Sequence, residues 1–419
     1  MLLDPLGRSL ATTAATLAAL TLAASAGTYS VNMVPGPGVD FTTIQTAIDA
    51  AVDGDTILIA PGTYAEHVLI DGKSLVLAGY PEALISPPFN SASTAPALTV
   101  RNLASDQAVD VRNLSVWRSG SVPAPAVQLV DNAGRVWFEE ATLTCFTGAA
   151  VVVDDCANVM LSEVLANALN ALDVGGAVVG QPALFVDSYG HVGVVQSELG
   201  GSAFGPPDDV FALADGGPGA RIVRGDVVLD AVSLTGGNGN IGFVGPCANG
   251  GSGGPALELG GGLGVPLLVR TRDVVLTAGS PGPFDPGCST APAPAPLVLD
   301  PGGSLVQIPG TVRELELDAL ASAGSSIDVV VRGEAFDIVA LFIGTPVVGQ
   351  QVAAFEGDLW LDFGNAKYMT FGIADAAGVM QKSFPAPFPM APIHARAQGF
   401  TAATDGSWHL TTPASTMIF

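Results

Sequence analysis

The chain has 419 residues and a formal net charge of −24, from 15 Lys+Arg against 39 Asp+Glu. Hydrophobic residues make up 48% of it and charged residues only 13%, which excludes a globally disordered chain. With three lysines (Lys73, Lys367, Lys382) it also lacks the basic surface that tracks nucleic-acid phosphates.

In chain order, residues 1–26 read as a signal peptide. Arg8 precedes an apolar run from Leu10 to Ala24, and Ala24-Ser25-Ala26 forms a small-x-small cleavage pattern. The expectation is a secreted or cell-surface protein cleaved after Ala26. No later run approaches the roughly 20 apolar residues of a transmembrane span. Residues 42–51 place Ile44, Ala47, Ile48 and Ala51 on one helical face behind a threonine N-cap. Such a helix would cover the open end of a stack of strands and hide edges that pair promiscuously.

A short unit, a small residue or Pro, then Ala, then a Val/Leu-rich stretch, recurs downstream. It starts at Ala97, Ala126, Ala150, Ala183, Ala220, Ala256 and, more loosely, Ala295. Second β-rich pieces follow, such as Val136-Trp137-Phe138, Val159-Met160-Leu161, Val192-Gly193-Val194, Val227-Val228-Leu229 and Val274-Val275-Leu276. A third piece such as Val232-Ser233-Leu234 sometimes follows. Two or three strands per repeat, with inward apolar residues at alternate positions, describe stacked coils sharing one core. Gly and Pro, 83 residues together, suit the turns between them.

Successive repeat alanines lie 29, 24, 33, 37, 36 and 39 residues apart. The growth falls in connections 166–182, 199–219, 235–255 and 278–295, which would stack on one edge as a groove wall or as neutral loop growth. The glycine runs 236–240 and 250–254 have no following helix or lysine, so they are not phosphate loops. Cys247 and Cys288, at matching places in consecutive loops, are the expected disulfide; Cys145 and Cys156 either pair or are buried thiols.

Arg101, Asp131, Asp154, Asp187 and Arg224 follow the repeat valines and are expected in one column. The carboxylates Asp131, Asp154 and Asp187 would repel one another, and calcium is the cation they suit; the bland reading is a solvated turn stripe. No cofactor is required by any motif. Glu140 and Glu163 take equivalent places in adjacent coils, about 5 Å apart. That spacing matches a retaining glycosidase pair, but stacked side chains point one way instead of flanking a sugar. His191 with Tyr189 and Asp187 reads as a surface turn.

Residues 40–51, Asp53-Gly54-Asp55-Thr56-Ile57, Ala60-Pro61-Gly62-Thr63-Tyr64-Ala65-Glu66 and residues 73–79 together resemble the opening of exported bacterial proteins of the pectin-lyase-like superfamily. The resemblance implies an all-β right-handed parallel β-helix with an N-terminal capping helix over residues 27–309. That opening occurs in esterases, lyases, hydrolases and uncharacterised proteins alike. Lyases of this fold imply an Arg base beside calcium carboxylates, for which Arg221, Arg224, Arg270 and Arg272 are the candidates. The strand with an aspartate between aromatic residues that esterase members carry is not found. After Pro309-Gly310 the repeat stops, and alternating segments at 326–331, 338–343, 358–363, 369–373 and 393–400 read as a small β-sandwich over 310–419.

The functional expectation is an extracellular or cell-surface β-helix that binds polysaccharide, with no nucleic-acid partner. The rivals are a polysaccharide lyase or glycoside hydrolase working beside the long loops, and a structural or adhesive spacer. The residues expected to hold a glycan are Trp117, Trp137, Tyr189, Arg224, Arg270 and Arg272.

Overall fold

Period-two alternation of Val, Ile and Leu sends every second side chain to one side of a strand. Here that alternation builds three parallel ladders, which the chain visits in rotation. The computed structural model describes residues 26–418 except 82, 89–92, 121, 171, 175–176, 204–214, 240–250, 261–266, 283–292, 301–302, 309, 319, 345, 352–354, 362–364 and 388–392. The signal-peptide reading and the Cys247–Cys288 pairing lie outside these residues.

The first ladder stacks Val68–Asp71, Leu98–Arg101, Val127–Val130 and Val151–Asp154, then residues 184–187 and 220–224, and finally Leu257–Leu259 and Leu297–Leu299. The second runs from Thr28–Val31 through Asp55–Ile59, Leu75–Gly79, Ala108–Arg112, Arg135–Glu139 and Asn158–Ser162 to residues 191–195 and 225–230, Leu267–Arg272 and Gly303–Gln307. The long strands Leu184–Val195 and Ala220–Asp230 serve both ladders and join them into one curled 16-stranded sheet. Among the described residues the third ladder has eight strands, from Gly62–Tyr64 to Val275–Thr277. Inward residues of all three ladders form one cluster in which Ala97, Ala126, Ala150, Ala183, Ala220 and Ala256 are wholly buried. One expected piece is displaced: Val275 and Leu276 pair with Ser233 and Leu234 in the third ladder, and Leu267–Arg272 supplies the second.

The corner between the second and third ladders turns on one left-handed residue per coil: Asn113, Glu140, Glu163, Gln196, Ala231 and Asp273 have φ of 47° to 54°. Single left-handed residues make a sharp corner at a cost of about 1–2 kcal/mol each outside glycine. The helix Ile44–Ala50 buries Ile44, Ala47 and Ile48 against the end of the core, with Thr43 as its N-cap. The Glu66 carboxylate accepts from the free N–H groups of Ile44 and Gln45, and Lys73 Nζ donates to the carbonyls of Ile48, Asp49 and Ala51. Both ends of this seven-residue helix are therefore satisfied by side chains from the turns beside the strands it covers.

The described parts of the long connections pack backbone on backbone. Gly217 N donates to Ser202 O, Gly237 N to Gly217 O, Gly254 N to Gly237 O and Gly279 N to Gly254 O. A Cβ at Gly237 would stand 1.8 Å from Ser202 O, and one at Gly279 1.9 Å from Gly237 O. Gly217, Gly237, Gly254 and Gly279 thus form a close-packed seam at the base of these connections.

From Glu314 onward the strands pair antiparallel within other sheets, apart from the short parallel pair of Leu320–Ala321 with Ala414–Ile418. One sheet holds Glu314–Leu317, Ser326–Arg332 and Val379–Pro385; another is centred on Ile338–Gly344 and Ile393–Ala402. Leu315, Val329, Val331 and Met380 of the first meet Val339, Leu341, Ala397 and Ala414 of the second in a separate core. Among the described residues no helix is long and apolar enough to cross a membrane.

Candidate functional site: the outer face of the first ladder

Two outward rows run up the first ladder. Gln128, Val152, Phe185, Arg221 and Glu258 are in register in one. The other holds Asp71, Arg101, Val130, Asp154, Asp187 and Arg224. Asp131 was expected in this second row but is not in it. The coil Ala126–Val130 has one more residue before its aspartate, so Val130 takes the column position. Asp131 falls one place later, in the left-handed turn, beside Asn102 and Asp155 of neighbouring coils (φ 54°, 58° and 45°).

Arg224 organises the face. Its Nε stands 2.6 Å from Asp187 Oδ1, its NH2 stands 2.7 Å from Asp155 Oδ1 and donates to Asp187 O, and its guanidinium lies 3.6 Å from the centre of the Tyr189 ring. Tyr189 is 73% exposed, so the stack leaves the other ring face to solvent. Burial and the neighbouring carboxylates Asp155, Asp187 and Asp131 push the Asp154 carboxyl up from its ordinary value, against the pull of Arg224. That is the signature of a carboxylate stack relieved by one arginine. Among the described residues no three Asp, Glu, His or Cys side chains converge in a metal-holding group.

Two grooves flank the face. One, of about 510 Å³, lies over the turn and is lined by Asp131, Asn132, Asp155, Cys156, Tyr189 and Gly190 among others. The other, of about 310 Å³, runs between Phe185, Val152 and Arg221 and the bases of the connections at Pro123, Pro125, Gln181 and Pro182. Arg221 is ion-paired to Glu258 at 3.4 Å. Sequence reasoning found Tyr189, Asp154, Asp187 and Arg224 but missed Phe185 and Asp155. Phe185 was legible as an outward position between the inward Leu184 and Val186; Asp155 was hidden by the turn.

Trp137, Arg270 and Arg272 were expected beside a glycan and are instead sealed. All three point outward from the second ladder, and the C-terminal strands cover them to 5%, 6% and 2% exposure. Trp360 packs on Trp137, Met160 and Val195, and its indole lies where a Cβ on Gly193 would reach 2.7 Å. Arg396 lies over the Trp137 ring and bonds Asp110. Arg270 pairs with Asp358 at 2.9 Å and Asp226 at 3.1 Å, Arg272 with Asp230 at 2.8 Å, and Arg112 with Glu139, which accepts from Ser415 N. His191, expected at a surface turn, is buried between Asp226 and Asp358 under Trp360. Trp117 lies elsewhere, 44% exposed on the third ladder.

Glu140 and Glu163 stack at the left-handed corner, as their spacing implied. Burial first, then Glu140, Glu139 and Glu316, drive Glu163 up to about 7. Cys145 and Cys156 are buried free thiols; burial pushes Cys145 up to about 12.

No family model and no curated protein matches this chain. Among solved structures, pectin methylesterase PemA from Erwinia chrysanthemi aligns with 69% of this chain and 82% of its own length, at 13% identity and a TM-score of 0.32. A pectin methylesterase in complex with a hexasaccharide aligns over 59% and 65%, at 14% identity and a TM-score of 0.32. A superoxide reductase from Ignicoccus hospitalis aligns with 26% of this chain and 80% of its own, at 8% identity and a TM-score of 0.18. Likenesses this slight carry no argument about activity.

Proposed function

We propose that the three ladders wind as a right-handed parallel β-helix over residues 27–309, followed by a β-sandwich over 310–419. Residues 1–26 direct this protein out of the cell, where it binds polysaccharide on the outer face of the first ladder. The observation that carries this reading is the exposed Tyr189 ring, backed by Arg224 and fixed by Asp155 and Asp187, at the rim of a groove. An aromatic ring held rigid with one free face offers a platform for the C–H face of a pyranose, and its hydroxyl a polar handle. Polar groups and an apolar wall converge nearby at Phe185, Gln181 and Arg221. The stacked aspartates repel polyanions, so neutral oligosaccharides bind better than uronates.

The test titrates soluble neutral and acidic oligosaccharides into the protein, with and without calcium, and scores binding and cleavage together. Tyr189→Ala and Phe185→Ala are expected to weaken binding about tenfold; unchanged affinity in both overturns the reading. A second reading, glycan cleavage, is favoured by Asp154, held toward its protonated form next to Asp187. Turnover lost in both Asp154→Asn and Asp187→Asn would establish it.

A further inference from the structure

The third ladder presents a second outward face, bordered near Leu165 and Glu198 by Glu316 of the C-terminal strands. Its six strands from Ser115–Arg118 to Val275–Thr277 pair in continuous register, with no bulge between them. One outward row reads Trp117, Thr144, Asn167, Gly200, Thr235 and Thr277. The row beside it reads Ser115, Thr142, Leu165, Glu198, Ser233 and Val275, with Leu165 and Val275 exposed, and Glu198 is the one ionisable residue in either row. Inward neighbours are fully committed to the core: Val116, Leu143, Ala166, Leu199 and Leu234 are at most 1% exposed. The outward groups therefore sit on a rigid base.

Two features set this face apart. On a chain of net charge −24, it is almost free of charge. Apart from Glu198, its polar groups are hydroxyls and an amide, each able to donate and accept, on coils spaced at about 4.8 Å, close to the advance of one pyranose along an extended chain. At one end stands Trp117, 44% exposed, the largest apolar platform on the face. Gly200 lowers the row between Asn167 and Thr235, since a Cβ there would press on Asn167 Oδ1 at 2.6 Å. The result is a shallow track roughly 24 Å long.

We infer that this face is a second binding surface, for an uncharged linear polysaccharide lying along the coil axis, with Trp117 stacking one ring and the Thr/Asn row meeting successive hydroxyls. Chemical complementarity selects that occupant. A polyanion gains nothing from a face without cations and is repelled by the protein as a whole. A lipid surface would need a basic or strongly apolar patch. The surface is separate from the first-ladder grooves, and a flat track suits an extended or insoluble glycan better than a short soluble one.

The experiment uses the full chain and pelleting onto microcrystalline cellulose, with a polygalacturonate gel in parallel. Binding to cellulose is expected to fall about tenfold or more in Trp117→Ala and in the double variant Thr144→Asp/Thr235→Asp, to persist in Trp117→Phe, and to be untouched by Tyr189→Ala. Adsorption to polygalacturonate is expected to stay weak throughout. Wild-type protein that ignores cellulose overturns the inference. So do variants that bind as wild type while melting at the same temperature, or variants that change only self-association in sedimentation. Because the grooves are tested with soluble oligosaccharides and Tyr189→Ala, loss confined to one set of variants tells which surface fails.

Discussion

The outer faces of the first and second ladders are built from the same residue types, aspartates, arginines and an aromatic ring in register, and they have opposite fates. On the first, Arg221, Arg224, Asp155, Asp187 and Tyr189 meet solvent and two grooves. On the second, Arg112, Glu139, Trp137, Asp230, Arg270 and Arg272 are closed over by Trp360, Arg396 and Asp358. An ion pair is worth little in water and is hazardous to break when buried. The comparison therefore separates residues that hold the chain together from residues free to meet a ligand.

The largest effect should come from unpairing the covered face. Arg272→Ala leaves Asp230 buried without its partner and should cost about 3–5 kcal/mol in urea denaturation. Replacing both residues by apolar side chains should recover much of that. Trp360→Ala removes the ring that bridges Trp137, Met160 and Val195, and should cost about 3–5 kcal/mol. It should also speed limited proteolysis of the C-terminal strands. A cost under about 1 kcal/mol in both would mean that the C-terminal strands do not clamp this face.

The glycine seam comes next. Gly237→Ala forces a Cβ into Ser202 O and should cost about 1–3 kcal/mol by thermal melting, where an open loop would give almost nothing.

The pH dependence is smaller. Glu163 holds its proton up to about 7 when folded, well above an unfolded glutamate. The folded state therefore binds more protons between those two values, and stability falls as pH rises from the ordinary carboxylate range toward 7. Glu163→Gln should flatten that slope in denaturation measured from pH 4 to 8. The smallest effect belongs to the open face: Arg221→Ala breaks an exposed pair with Glu258 and should change stability by less than about 1 kcal/mol.

Much of the architecture was legible. The buried alanines Ala97, Ala126, Ala150, Ala183, Ala220 and Ala256 mark six of the eight first-ladder coils among the described residues, because each packs inward against the core. The helix was legible from the spacing of Ile44, Ala47 and Ile48. The candidate site was half legible. Tyr189 and Arg224 stood out as types, while the one-residue slip at Asp131 passed unseen, since a turn residue leaves no mark on period-two alternation. Glu314–Leu317 and Val379–Pro385, both with half-exposed positions, carried too little apolar pattern to be read as strands.

What the sequence determined by itself is which side of each strand faces inward, because burial of alternate apolar residues is a local property repeated coil after coil. Which outward face stays open was decided only by tertiary structure. Trp137 and Tyr189 look alike as outward aromatics, and one is buried because strands more than two hundred residues away, carrying Trp360 and Arg396, close over it. A residue's own neighbours in the chain hold no record of such a cover.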